Sequence, residues 1–258
     1  MAFEFDGKKY RKVSTHQKEW GNKIISEFQF KGNESVLDLG CGDGILTAQF
    51  ADRLPNGHVI GIDASEGMIA EAGKICRHNL TFMHEDINRL DFNSRFDLVF
   101  SNATLHWIKD HHALLERVHR SLKKGGIVRF NFAADGNCSN FYKVIKQIMA
   151  LERYRPSFEN FEWPWFMPTL SDYEEIVHQF PFKETTVWGE NADRFFPDTA
   201  ALTGWIDQPS IVPFLKCVEE KAKKTFRDTV VKLMIKETLQ NDGTCFETFR
   251  RINVSARK

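Results

Sequence analysis

Apolar residues along the first half of the chain follow two alternating periods. Short runs at Val36-Leu37-Asp38-Leu39, His58-Val59-Ile60-Gly61-Ile62-Asp63, Leu80 to His84, Phe96 to Ser101 and Ile127 to Phe132 suit strands covered on both faces. Between them apolar positions recur at helical spacing. Trp20, Ile24, Ile25 and Phe28 predict a helix over 14–29 with Ser14 and Thr15 as caps, and Ile45, Leu46, Ala48 and Phe50 predict another up to the Leu54-Pro55 break. A third amphipathic helix runs to about Cys76, and Leu114, Leu115, Val118 and Leu122 mark a fourth, stopped by Lys123-Lys124-Gly125-Gly126. Five alternations of strand and helix predict an α/β fold, a doubly wound parallel sheet with its ligand at the carboxyl edge.

The second half breaks this rhythm. A helix is expected over 140–153, an aromatic and proline-rich loop over 158–168, and a helix from Ser171 to Phe180 capped by Ser171 with Glu174 in the capping box. Strands follow at 185–190 and 245–255. Residues 197–240 between them are too amphipathic for disorder and too long for a turn, and are expected to form a helical lid over the ligand site. The organisation expected is a cofactor-binding half over 1–135, including the N-terminal helix, and a remainder over 136–258 that carries the lid.

Composition narrows the partners. The 258 residues can bury roughly 70–75% of the unfolded surface, and 35 basic residues cancel 35 acidic ones, which argues against a nucleic-acid or anionic-membrane partner. No run is long enough to span a bilayer and the polar N-terminus lacks a signal-peptide centre, so a cytoplasmic monomer acting on a small molecule is expected. The five cysteines are widely spaced and read as reduced thiols, with no zinc pattern. His106, His111 and His112 have ordinary helix-surface spacing, and no metal is expected. The 23 phenylalanines, concentrated after residue 130, suit a Phe-packed core better than a substrate chamber.

The densest chemistry lies at Glu34 to Gly44, an apolar run with Asp38 that breaks into Gly40-Cys41-Gly42-Asp43-Gly44. Such a turn lets backbone amides approach a ligand. A dinucleotide fingerprint would place its third glycine where Ile45 stands. Asp63, ending the neighbouring strand ahead of Ala64, is placed to accept both hydroxyls of a ribose. Met68, one turn into the next helix, can pack on a base. Arg194, beside Phe195 and Phe196, is a candidate for a substrate carboxylate, although surface arginines seldom have such a role.

The acid-x-Gly-x-Gly-x-Gly pattern resembles motif I of the class I S-adenosylmethionine-dependent methyltransferases. Leu105-His106-Trp107, the Trp205 to Leu215 segment and the tail Phe249 to Lys258 are similar to the trans-aconitate and juvenile hormone acid methyltransferase group. The resemblance implies a Rossmann-like, seven-stranded, mostly parallel sheet with the last strand antiparallel, and S-adenosyl-L-methionine as cofactor. It assigns Asp86, rather than Glu85, to the adenine amino group and the Ile87 backbone to the ring. Asn102 and the corner after it become the meeting point of methionine and acceptor. Tyr10 and Gln17 match a paired feature of carboxylic-acid methyltransferases, Gln17 and Trp107 become acceptor clamps, and Trp205 falls in the substrate segment.

A carboxylate acceptor is already a charged nucleophile and needs no base, so O-methylation of a small carboxylic acid is the expected reaction. Two alternatives stand beside it. One is C- or N-methylation with His106 as base, which competes with a structural role for that histidine. The other is a non-catalytic, cofactor-binding regulatory module.

Overall fold

The computed structural model describes residues 4–8, 11 and 14–258. They fall into two compact units, one of Met1–Asp135, Trp165–Glu190 and Arg251–Lys258, the other of Gly136–Pro164 and Asn191–Arg250. In chain order the strands are β1 (Ser35–Leu39), β2 (His58–Asp63), β3 (Leu80–His84), β4 (Phe96–Asn102), β5 (Leu122–Ala133), β6 (Lys183–Asn191), β7 (Arg194–Phe196), β8 (Cys245–Glu247) and β9 (Arg250–Arg257). The α-helices are α1 (Thr15–Ile25), α2 (Ile45–Arg53), α3 (Glu66–Ala72), α4 (His111–Ser121), α5 (Ser139–Met149), α6 (Leu170–His178), α7 (Thr199–Trp205), α8 (Val212–Leu215) and α9 (Glu220–Thr238).

The first unit is built on a seven-stranded sheet of order β3-β2-β1-β4-β5-β9-β6. The pairs among β1 to β5 are parallel, and β9 runs antiparallel to β5. This is the Rossmann-like α/β arrangement expected. Successive residues of β1 face opposite layers, as strand geometry requires. Val36 packs with Ile24 and Ile25 of α1, Phe50 of α2 and Phe100, whereas Leu37 and Leu39 join Leu114 and Val118 of α4 and Tyr173 of α6. Each fully buried Phe or Leu contributes about 1.5–3 kcal/mol, and burial on both faces holds β1 fixed at the centre.

Several boundaries differ from the expected ones. The first helix ends at Ile25 instead of 29, where Phe28 and Phe30 stack on each other at 5.4 Å between ring centroids. Ser14 sits at its N-cap position but its hydroxyl makes no capping bond. The cap of α6 is Thr169, whose side chain accepts from Asp172 N–H, and not Ser171. The strand expected over 245–255 is two: β8 pairs with β7 in the second unit, and β9 enters the large sheet. His111 is not a surface residue. Its ring lies between Tyr173 Oη at 2.9 Å and Leu105 O at 3.0 Å, and burial pushes its pKa down to about 4.

The second unit has its own aromatic core. Phe141, Phe158, Phe214 and Phe226 are buried with Trp205 and Tyr154, so these phenylalanines are packing residues. The buried Glu247 caps α5 from β8, accepting the N–H groups of Asn140 at 3.1 Å and Phe141 at 2.9 Å. Among the described residues no helix is long and apolar enough to cross a membrane.

Candidate functional site

β1 and β2 run in register with Leu39 beside Ile62, so the turn after Leu39 leaves the sheet at the end of β2. Gly40 N and Cys41 N both donate to Ile62 O, at 2.8 and 2.9 Å, and clamp the turn to that strand. Gly40 has φ 74°, and a Cβ there would lie 2.1 Å from Thr104 Cγ2. Only glycine fits so close an approach in the left-handed region. Cys41 is buried, and burial raises its thiol pKa further. As the chain enters α2, Thr47 Oγ1 donates to Asp38 Oδ2 at 2.7 Å. Burial raises the Asp38 carboxyl to about 7, partly opposed by the Thr47 bond and reinforced by the charge of Asp63.

Asp63 joins the two strand ends. Its Oδ2 accepts Gly42 N–H at 3.0 Å and its Oδ1 accepts Ser65 N–H at 2.9 Å. Burial raises its pKa against those two bonds. Ala64 O faces the His84 ring at 3.1 Å, and Ser65 Oγ caps α3 by accepting from Met68 N at 3.3 Å, leaving the Met68 side chain buried. Glu4 binds the same helix end, its Oε1 accepting Ser65 Oγ–H at 2.9 Å and Gly67 N–H at 2.7 Å. Because Asp63 pairs with His84 in register, Asp86 follows at the same edge two residues further on. Asp86 Oδ1 accepts from Asn88 N at 2.9 Å and caps the short 3-10 turn that buries Ile87.

Asn102 ends β4, and its Nδ2 donates to Gln17 O on α1 at 2.8 Å. Beyond it Ala103 adopts φ 58°, a strained setting for a residue with a Cβ, and turns the chain into the 3-10 segment Leu105–Trp107. Asn102 Oδ1, Gln17 Oε1, Ser14 Oγ and His106 Nδ1 are buried with no hydrogen-bond partner among the described residues. Unmade buried bonds cost about 1–3 kcal/mol each, and a water or a ligand can complete them. Burial, then the charges of Arg251 and His111, hold the His106 pKa well below its ordinary value, so the ring is neutral. The Trp107 ring meets Phe5 and Trp165 edge-on, both at 5.6 Å. On the other side of the glycine turn, Asp43 is paired with Lys18 Nζ at 3.1 Å.

The first unit therefore gathers Gln17, Asp38, Gly40, Cys41, Gly42, Asp63, Ala64, Met68, Asp86, Ile87, Asn102, His106 and Trp107 around the ends of four adjacent parallel strands. Arg194 and Trp205 belong to the second unit. Arg194 pairs with Glu247 in the β7–β8 ladder, and Trp205 is packed among Phe141, Phe196 and Phe249. Tyr10 lies outside the described residues. Thr47, Thr104, Ala103 and Glu4 were not singled out in the sequence. Thr47 had a signal, one turn into the helix that follows the acid and the glycines, whereas Thr104 and Glu4 act through partners more than sixty residues away.

This inventory fits an adenosine with an amino-acid tail. Carboxylates at Asp63 and Asp86 can accept from hydroxyls and an amino group, Met68 and Ile87 are buried apolar side chains that follow them in the chain, and the oxygens of Asn102 and Gln17 can accept from donors.

Residues 36–126 match the family described as a methyltransferase domain. The chain is 30% identical over 198 residues to a trans-aconitate 2-methyltransferase of Deinococcus radiodurans, covering 75% of both proteins. It is 28% identical to an uncharacterized methyltransferase of Schizosaccharomyces pombe, covering 98% of each. Among solved structures, a phosphoethanolamine N-methyltransferase 2 of Haemonchus contortus in complex with S-adenosyl-L-methionine matches with a TM-score of 0.57 at 23% identity, over 93% of this chain and 52% of that longer one. The motif at the elbow, the sheet order and these relatives agree, and the chain belongs to the class I S-adenosylmethionine-dependent methyltransferases, near the trans-aconitate group, with S-adenosylmethionine as its cofactor.

Proposed function

We propose that the enzyme methylates a carboxylate oxygen of a small organic acid, producing its methyl ester. The observation that carries this reading is His106. It is an ionisable side chain at the acceptor corner, and its pKa is held well below the ordinary value by burial. A ring so reluctant to take a proton is a poor base for a hydroxyl, amine or carbon acid. A carboxylate is ionised at neutral pH and needs no base, so this corner suits it. The acid named in the Deinococcus radiodurans relative agrees in class.

Bound at this site, S-adenosylmethionine supplies a methyl group already activated by its sulfonium. The protein's own residues have the tasks of holding and aligning. Asp63 and Asp86 are the residues proposed to hold ribose and adenine, with Met68 and Ile87 against the ring. Gln17 and Asn102, tied to each other through the Gln17 carbonyl, carry the orphaned amide oxygens that fix the amino-acid end. Trp107 closes the acceptor side with an apolar ring, and His106 Nδ1 offers one neutral hydrogen bond. Alignment of two bound reactants is worth roughly 7–11 kcal/mol of barrier, which makes positioning sufficient as the main catalytic contribution.

The test is incubation with methyl-labelled cofactor and a panel of mono-, di- and tricarboxylic acids that includes trans-aconitate. Base-labile label in one of the acids is the expected result. Label on carbon or nitrogen, or none across the panel, would overturn the reading.

A further inference from the structure

The two peptide planes that flank His106 are both held by hydrogen bonds from elements behind it. Leu105 O accepts Ile108 N–H at 2.9 Å and lies 3.0 Å from His111 Nε2, while His106 O accepts Phe166 N–H at 2.8 Å. With both carbonyls pinned, the direction in which the His106 side chain leaves the backbone is set, and Trp107 continues from the second of these planes. Trp107 N–H closes the turn on Thr104 O at 2.9 Å, and Thr104 Oγ1 donates to Gly40 O at 3.2 Å. The corner is thus tied at its front to the glycine turn and at its back to His111.

The proton on His111 sits on Nε2. A carbonyl only accepts, so the hydrogen shared with Leu105 O belongs to the ring, and a neutral ring then leaves Nδ1 as an acceptor. Tyr173 Oη, 2.9 Å from Nδ1, is the donor. Burial holds the His111 pKa down at about 4 and pushes the Tyr173 hydroxyl above its ordinary value, so the ring stays neutral and the hydroxyl keeps its proton. Filling the space needs neither polar group, since the Phe132 and Phe166 rings already pack on His111 at 5.4 and 4.7 Å between centroids. What an apolar side chain could not supply there is a donor to Leu105 O.

Resting on the acceptor corner of the proposed function, the geometry points to the Tyr173–His111 pair as the device that aims His106 and Trp107 at the acceptor. His111 grips the backbone of the corner, and Tyr173 orients the ring that grips it. Both are buried and act as positioning residues. Without the grip the corner can shift, and a misplacement of about 1 Å can cost about a hundredfold in rate.

The experiment compares wild type with His111→Phe, His111→Gln and Tyr173→Phe, using trans-aconitate, or the panel acid that turns over fastest, as acceptor. His111→Phe is expected to lower kcat about tenfold, with KM for the acid within about threefold and S-adenosylhomocysteine affinity within about twofold. His111→Gln, whose amide can donate to Leu105 O, should return kcat to within about threefold of wild type. Tyr173→Phe keeps the aromatic ring and should lower kcat about three- to tenfold with the same split, and it decides the matter should His111→Phe fail to fold. Long-range 1H–15N correlation spectra of the wild type should show His111 as the Nε2–H tautomer. Unchanged kcat in the folded variants, even with a lowered Tm, leaves the pair a structural role alone and overturns the assignment. An equal loss of S-adenosylhomocysteine affinity, no recovery in His111→Gln, or an Nδ1–H tautomer overturns it too, while acid methylation by the wild type stands. A wild type that methylates no acid overturns the carboxylate reading itself, and this assignment with it.

Discussion

Asp63 reaches back from the end of β2 to accept the Gly42 N–H at 3.0 Å, so the acid and the glycine turn form one hydrogen-bonded unit. The same carboxylate fixes Ser65 N–H at the start of α3. A ligand held by Asp63 is thereby registered against both the turn and the helix. Charge-assisted bonds of this kind are worth about 1.5–3 kcal/mol. Asp63→Ala should weaken cofactor binding by about 10- to 100-fold, and also lower Tm because two backbone donors lose their acceptor. Calorimetric titration with S-adenosylhomocysteine, with a thermal melt beside it, checks both; unchanged affinity would remove Asp63 from the site.

Gly40 is constrained twice, by its positive φ and by the Thr104 side chain. Gly40→Ala should cost about 1–3 kcal/mol of stability and abolish tight cofactor binding. Trimming the neighbour to Thr104→Ala should not rescue it, because the Thr104 Cβ itself would stand 2.6 Å from the new methyl group. Urea unfolding of the single and double variants distinguishes this from a soft clash, which the second substitution would relieve.

The buried Asp38 makes a pH prediction with a definite sign. Burial raises its folded pKa to about 7, well above the ordinary carboxylate range. Below about pH 4 both states are protonated and nothing is lost. Between pH 4 and 7 the unfolded chain releases the proton that the folded chain keeps, so stability falls as pH rises, by up to about 4 kcal/mol from this group. His111, with its pKa depressed to about 4, works the opposite way, its share of stability being lost as pH falls from about 6.5 towards 4. The two are separated by difference. Asp38→Asn against wild type should gain stability steadily from pH 4 to 7 and plateau above, in urea titrations at stepped pH. A pH-independent difference would mean that Asp38 is ionised in the folded protein.

The residues that could be read in advance share one property, that their signal is local. Val36 and Leu37 announce a doubly covered strand by themselves, and the glycines and Asp63 announce a ligand edge because strand ends in a parallel sheet must converge. What escaped reading depends on distant partners. Nothing near Arg251 says that it would lie on Asn131 across a strand pair, and nothing near His111 says that Tyr173, sixty-two residues on, would bury it. The tail read as one strand because Cys245 to Val254 is nearly continuous in β-compatible residues, yet Glu247 turns inward to cap α5 and breaks the run.

The cap of α6 is a small case of the same kind. Ser171 with Glu174 satisfies the capping-box pattern, but Thr169, two residues earlier, makes the bond to Asp172 N at 3.2 Å. Thr169→Ala should cost about 1 kcal/mol in chemical denaturation, and Ser171→Ala only a few tenths. Equal losses would mean that the helix frays to a start at residue 172.

His106 separates alignment from proton transfer. A general base typically contributes about 10²–10⁴-fold, and its titration appears in the rate profile. Here burial keeps the ring neutral, with Arg251 and His111 adding to the effect, so its protonation should not limit turnover anywhere near neutrality. Under saturating acid and cofactor, kcat should be flat from pH 6 to 8.5. His106→Asn, which retains a hydrogen bond but takes up no proton, should keep kcat within about tenfold. A rate that falls with a pKa near 6.5 in the wild type, and loses that dependence along with a hundredfold or more of kcat in His106→Asn, would make His106 the base and return the acceptor to the amines, hydroxyls and carbon acids.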